Sequence, residues 1–104
     1  MSNLQKDQTS PGQSGLHAVI EGRVQGVGFR MFVQRTASSL NLVGWVRNKY
    51  NGNVEVWAEG SQSNLETLLA ELKKGPQAAT VIELNYQWKA ATGDYTHFSV
   101  YTTF

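Results

Sequence analysis

The sequence predicts an α+β sandwich, a single antiparallel sheet with two helices on one face and the element order βαββαβ. Three observations carry this. An alternating run gives way to a helical period within the first half of the chain. An Asn-Gly pair then joins two further alternating runs. A leucine-striped segment follows, closed by Gly75-Pro76 and succeeded by more strand-like sequence. That order is the ferredoxin-like, split βαβ pattern, which hosts many unrelated activities and so decides no function by itself.

The elements follow in order. Residues 1–15 are rich in Ser, Gln, Gly and Asn and have no apolar period, so they read as a mobile polar tail ahead of a domain spanning 16–104. Residues 16–23 form the first strand, with Leu16, Ala18 and Ile20 on one side and His17, Val19 and Glu21 on the other. Residues 29–40 place Phe29, Phe32, Val33, Thr36, Ala37 and Leu40 on one helical face, and Asn41 follows as a left-handed stop. Residues 42–48 form a second strand with Val43 and Trp45 on a common side, Trp45 packing into the core. Asn51-Gly52 suits a two-residue type I′ turn, whose central residues both need positive φ. The returning strand, 53–59, points Val54, Val56 and Ala58 inward and leaves Trp57 on the open face. Ser63 and Glu66 have capping-box spacing for the second helix. Leu65, Leu68, Leu69 and Leu72 form its stripe, and Lys73 and Lys74 stand at the negative end of its dipole. Residues 80–89 and 98–102 complete the sheet.

Composition narrows the chemistry. The chain has 104 residues, enough for one two-layer core without metal or cross-links. It has no cysteine, which removes thiolate catalysis, disulfides and cysteine metal sites and makes the cytoplasm the default location. No apolar run has the length of a membrane span. A net charge of +1 argues against general nucleic-acid binding. Charge is unevenly distributed, however. Residues 22–54 contain no Asp or Glu but hold Arg23, Arg30, Arg35, Arg47 and Lys49, a field that favours an anionic ligand. His17 and His97, the two histidines, stand 80 positions apart without an acid cluster, so no metal or other cofactor is expected.

Between the first strand and first helix lies Gln25-Gly26-Val27-Gly28. Two glycines let the backbone curl so that several N–H groups face one spot, and the N-terminus of the next helix adds more. Arg30, in the first helical turn, brings a planar fork that binds two phosphate oxygens at once. On local features alone this segment reads equally as an anion cradle or as a tight turn with an exposed arginine. Asn48, closing the second strand, reads locally as a turn residue bonding its own backbone.

Gly22-Arg23-Val24-Gln25-Gly26-Val27-Gly28-Phe29-Arg30 resembles the first signature of the acylphosphatase family. Gly44-Trp45-Val46-Arg47-Asn48-Lys49-Tyr50-Asn51-Gly52-Asn53-Val54-Glu55 resembles the second, with Asn51 where the family usually has Asp. The stretch from Gly75 to Val81 is similar to the family's exit from its second helix, and the resemblance covers 16–104. It implies a metal-free hydrolase that splits the carboxyl-phosphate bond of small acyl phosphates. In that reading Gln25, Gly26, Val27, Gly28, Phe29 and Arg30 bind the phosphate and Asn48 orients the attacking water. Inorganic phosphate would be product and competitive inhibitor, and the working form a monomer without nucleic-acid or membrane partners. Two other readings use the same fold. One is a phosphate- or partner-binding domain without turnover. The other is an RNA-binding module, for which the acids beside Trp57 make a poor surface.

Overall fold

A computed structural model describes residues 13–103. The elements are β1 (Gln13–Arg23), α1 (Phe29–Ser39), β2 (Val43–Asn48), β3 (Val54–Ser61), α2 (Gln62–Lys74), β4 (Thr80–Lys89) and β5 (Phe98–Val100). They build one five-stranded sheet in the order β4-β1-β3-β2-β5, with both helices packed on one face. No helix among the described residues is long and apolar enough to cross a membrane.

Of the expected tail, 1–12 lie outside the described residues, and 13–15 are already strand. Gln13 pairs with Ser61 at the far end of β3. The backbone that β3 offers there extends β1 beyond its alternating side chains, so periodicity could not mark the start.

Three of the four strand pairings are antiparallel, as expected; the fourth, β2 with β5, is parallel. The connection from β4 explains it. Residues 90–97 must cross from one edge of the sheet to the other, four gaps of about 4.8 Å each. Eight residues reach at most about 28 Å. The segment therefore runs straight across the lower end, and β5 must turn upward from it, in the direction β2 already takes.

The core is a seam between sheet and helices. Leu16, Ala18 and Ile20 of β1 and Val54, Val56 and Ala58 of β3 are fully buried. They face Phe29, Val33 and Ala37 of α1 and the predicted leucine stripe of α2, all four of whose members are buried. Asn41 takes a positive φ of 58°, the expected left-handed stop after α1.

Three local expectations are corrected. Trp45 does not enter the core. It lies directly opposite Trp57 across the β2–β3 ladder, hence on the open face, while Gly44, Val46 and Asn48 form the helix-facing row. There Trp45 stacks on Tyr101 (centroids 5.6 Å apart) and donates to the Tyr95 hydroxyl. The β2–β3 turn is not the two-residue type I′ form either. Lys49 N–H donates to Asn53 O at 2.8 Å and Gly52 N–H to Lys49 O at 3.1 Å, closing a three-residue loop. Such a loop needs one left-handed residue, supplied by Gly52 at φ 97°. Asn51 instead accepts from Asn53 N–H with its side chain. Finally, α2 is capped by Ser61, not Ser63. Ser61 is extended and its hydroxyl accepts from Asn64 N–H, two residues earlier than the capping-box spacing indicated.

Candidate active site

β1 runs upward and releases the chain at the upper end of the sheet into residues 24–28. α1 begins there and descends. β2 climbs back and ends at Asn48, again at the upper end. Its pairing with Val54, a fully buried residue, fixes Asn48 on the helix-facing side. Asn48 therefore continues the Gly44–Val46 row upward until it stands beneath the start of α1. This is the step that the sequence could not settle, and it depends on β1 and β2 flanking β3.

Gly26 and Gly28 adopt left-handed φ values of 74° and 79°. Gly28 is the N-cap of α1 and provides no side-chain cap. The opening N–H groups of a helix have no intrahelical acceptor. Among the described residues, the first N–H of α1 to find one is that of Phe32, which donates to Gly28 O at 3.0 Å. The loop and the start of the helix thus present a set of N–H groups with the positive end of the helix dipole behind them.

These groups surround a pocket of about 120 Å³ lined by Val24, Gly26, Gly28, Phe29, Arg30, Met31 and Asn48. That is well below the several hundred Å³ of sites that enclose a whole small ligand. It suits a small head group whose substituent stays outside. Arg30 is half-buried, and its Nη1 donates to Tyr101 O at 3.1 Å, just past β5. This bond anchors one arm of the fork and leaves other N–H groups for a ligand. The Oδ1 of Asn48 is buried without a hydrogen-bond partner among the described residues. A buried acceptor left unpaired costs free energy, so its presence in a polar pocket asks for a donor.

Five expected site residues, Gly26, Gly28, Phe29, Arg30 and Asn48, line this one pocket; Gln25 and Val27 do not. Val27 packs against the core. Gln25 turns its side chain to the β2–β3 hairpin, where Nε2 donates to Lys49 O at 2.7 Å and Asn53 O at 2.9 Å. Val24, the first residue of the expected phosphate loop, also lines the pocket; Met31 does so without having been expected, and only its adjacency to the loop could have suggested it.

The cationic stretch is also less uniform than the sequence suggests. Arg47 lies on the open face, where it pairs with Glu55 at 2.8 Å and sits 4.8 Å above the Trp45 ring. His17 bonds the other Glu55 oxygen at 2.7 Å. Burial pushes the Glu55 carboxyl up, but the bonds to His17 and Arg47 and their charges outweigh it and hold the group below its ordinary value. This carboxylate thus faces away from the pocket, across the sheet.

Comparison with known proteins identifies the family. The acylphosphatase family profile matches residues 16–100. The chain is 51% identical over 81 residues to the acylphosphatase of Syntrophotalea carbinolica, covering 78% of this chain and 88% of that one. It is 45% identical over 85 residues to the acylphosphatase of Methylococcus capsulatus, covering 82% and 92%. The structure of an acylphosphatase from Coxiella burnetii superposes with a TM-score of 0.84 at 34% identity, covering 90% of this chain and all of that one. A match over most of the length in both sequence and structure shows that the chain belongs to the acylphosphatase family.

Proposed function

We propose that this acylphosphatase works through the upper pocket, with Arg30 and the N–H groups of residues 26–30 holding the phosphate and Asn48 holding the attacking water. The observation that carries the reading is the unpaired, buried Oδ1 of Asn48 in a pocket shared with Arg30 and the loop. An acceptor there accepts a hydrogen bond from one O–H of a water and turns the water's lone pair toward the phosphorus.

The chemistry needs little else. The water oxygen attacks phosphorus as the bond to the acyl oxygen breaks. A carboxylate leaves with the bonding electrons and, being a weak base, needs no acid. The water's proton passes to a non-bridging oxygen of the substrate's phosphate. Charge on the phosphoryl oxygens is met by the Arg30 fork and the loop amides, already oriented before reaction. Among the described residues no carboxylate lines the pocket, where one would repel the substrate.

Metal-free turnover, competitive inhibition by phosphate and a cytoplasmic monomer complete the proposal. The test is hydrolysis of benzoyl phosphate in EDTA by the chain and by Asn48→Ala. Rapid turnover by the first and a large loss in a folded second supports it. Activity that needs added metal overturns the metal-free step, and full activity in Asn48→Ala overturns the role of that side chain.

A further inference from the structure

Gln25 sits within the loop yet directs its side chain away from the pocket. Its Nε2 has two protons, and both are used: one bond reaches Lys49 O (2.7 Å), the other Asn53 O (2.9 Å). These carbonyls flank the hairpin that closes β2, and Lys49 directly follows Asn48. The two backbone segments are separated by 24 and 28 positions in sequence. They do not pair as neighbouring strands, because β3 lies between β1 and β2. Gln25 is therefore a direct polar link between the loop that carries the amide groups and the strand end that carries Asn48.

We infer that Gln25 is a positioning residue for hydrolysis, a clamp that fixes the Asn48 amide relative to the phosphate cradle and so sets the line of attack of the water. The inference rests on the reading of Asn48 given above. Attack on phosphorus tolerates little error in the approach of the nucleophile, and displacements near 1 Å cost large factors in rate. The cradle and Arg30 are built by residues 26–30 themselves and by Tyr101, so phosphate binding does not depend on the clamp. The water does, because its holder stands on a different strand. Gln25 itself touches neither substrate nor water.

The experiment is a double-mutant cycle between Gln25→Met and Asn48→Ala, with kcat on benzoyl phosphate and the inhibition constant of inorganic phosphate measured for all four proteins. Methionine keeps the length of glutamine and removes both donors. Gln25→Met should lower kcat about tenfold or more and move phosphate inhibition less than about threefold. In the Asn48→Ala background the same change should lower kcat less than about twofold, since the group it positions is gone. An equal loss in both backgrounds overturns the clamp, as does a loss of phosphate binding that matches the loss of kcat. Full activity in Gln25→Met beside a defective Asn48→Ala overturns the clamp alone. Full activity in Asn48→Ala overturns the reading beneath it. A measurement on the unaltered protein guards against misfolding of the variant. The Gln25 side-chain amide protons should exchange with solvent far more slowly than those of Gln87 on the exposed edge strand β4, and equal exchange overturns the inference.

Discussion

At the lower end of the sheet, the loop after β4 turns the N–H groups of Thr92 and Gly93 toward one point, and Glu59 of β3 fills it. Its Oε1 accepts from both N–H groups at 3.0 Å, and its Oε2 accepts from the Thr92 hydroxyl at 2.6 Å and the Trp57 indole at 2.7 Å. At the upper end, the loop after β1 and the start of α1 turn their N–H groups toward another point, with Arg30 beside it and, among the described residues, no carboxylate lining the pocket. Both ends bring backbone donors together over an anion position. One end receives its anion from the chain; the other is complementary to an anion from outside. Size misleads here, because the lower end has the larger cavity, about 410 Å³ with Glu59 in its wall. The difference lies in whether the donors are already answered by the described residues, and it is the ground on which the upper end is proposed as the site.

The strongest way to break that comparison is to remove the cation from the upper end. Arg30→Ala should lower kcat/KM on the order of 10³-fold and abolish inhibition by phosphate, with the fold intact. Benzoyl phosphate kinetics and a thermal melt check both halves. Lysine should restore little, since it lacks the fork. Next comes Asn48→Ala, expected to lower kcat on the order of 10²-fold while phosphate still competes. Loss of phosphate inhibition along with kcat would put Asn48 among the phosphate ligands instead.

The lower end should respond in the opposite sense. Glu59→Gln should leave kcat close to that of the parent and lower stability by about 1–3 kcal/mol, measured by urea unfolding. An amide in place of the carboxylate turns a donor toward donors, and the Trp57 indole cannot reverse its role. Burial pushes the Glu59 carboxyl up. The bonds from Thr92, Gly93 and Trp57 outweigh this and hold it below its ordinary value. A group depressed in the folded state stabilises the protein above its unfolded pKa, about 4.3, and that contribution is lost as pH falls through the folded value. The parent should therefore lose stability faster than Glu59→Gln below about pH 4. Parallel stability curves for the two proteins would contradict this.

The sequence shows one end more clearly than the other, for physical reasons. Two glycines ahead of an arginine at a helix start mark the upper loop as a candidate, equally an anion cradle or a tight turn on local features, and the resemblance to the two family signatures decides between them. Asn48 could be named but not placed, because its position beneath α1 depends on β3 threading between β1 and β2. The lower site has no local signature, since Glu59 and Thr92 stand 33 positions apart and meet only when 90–97 crosses the sheet. The same limit explains the Trp45 error. Alternation shows that Val43 and Trp45 share a face, but only the pairing with β3 shows which one. The Gln25 clamp was hidden likewise, its acceptors being carbonyls that any residue would supply.

The smallest expected effect sharpens the comparison most. Among the described residues, a β-carbon at Gly28 would meet no atom within 4 Å beyond those of its two chain neighbours, although the backbone there is left-handed at φ 79°. Gly28→Ala should therefore cost only the backbone term, about 1–2 kcal/mol, seen as a modest fall in melting temperature. The more telling reading comes on adding phosphate. An anion that binds only the folded state stabilises it by about 2.7 kcal/mol at a hundredfold excess over Kd. Gly28 lines the upper pocket, and the space beside it is not filled by the protein. The added methyl should take room from the anion, so the gain in melting temperature on adding phosphate should be smaller in the variant than in the parent. Equal gains would show that glycine serves the turn alone. The upper end would then resemble the lower one, a loop shaped for its own backbone.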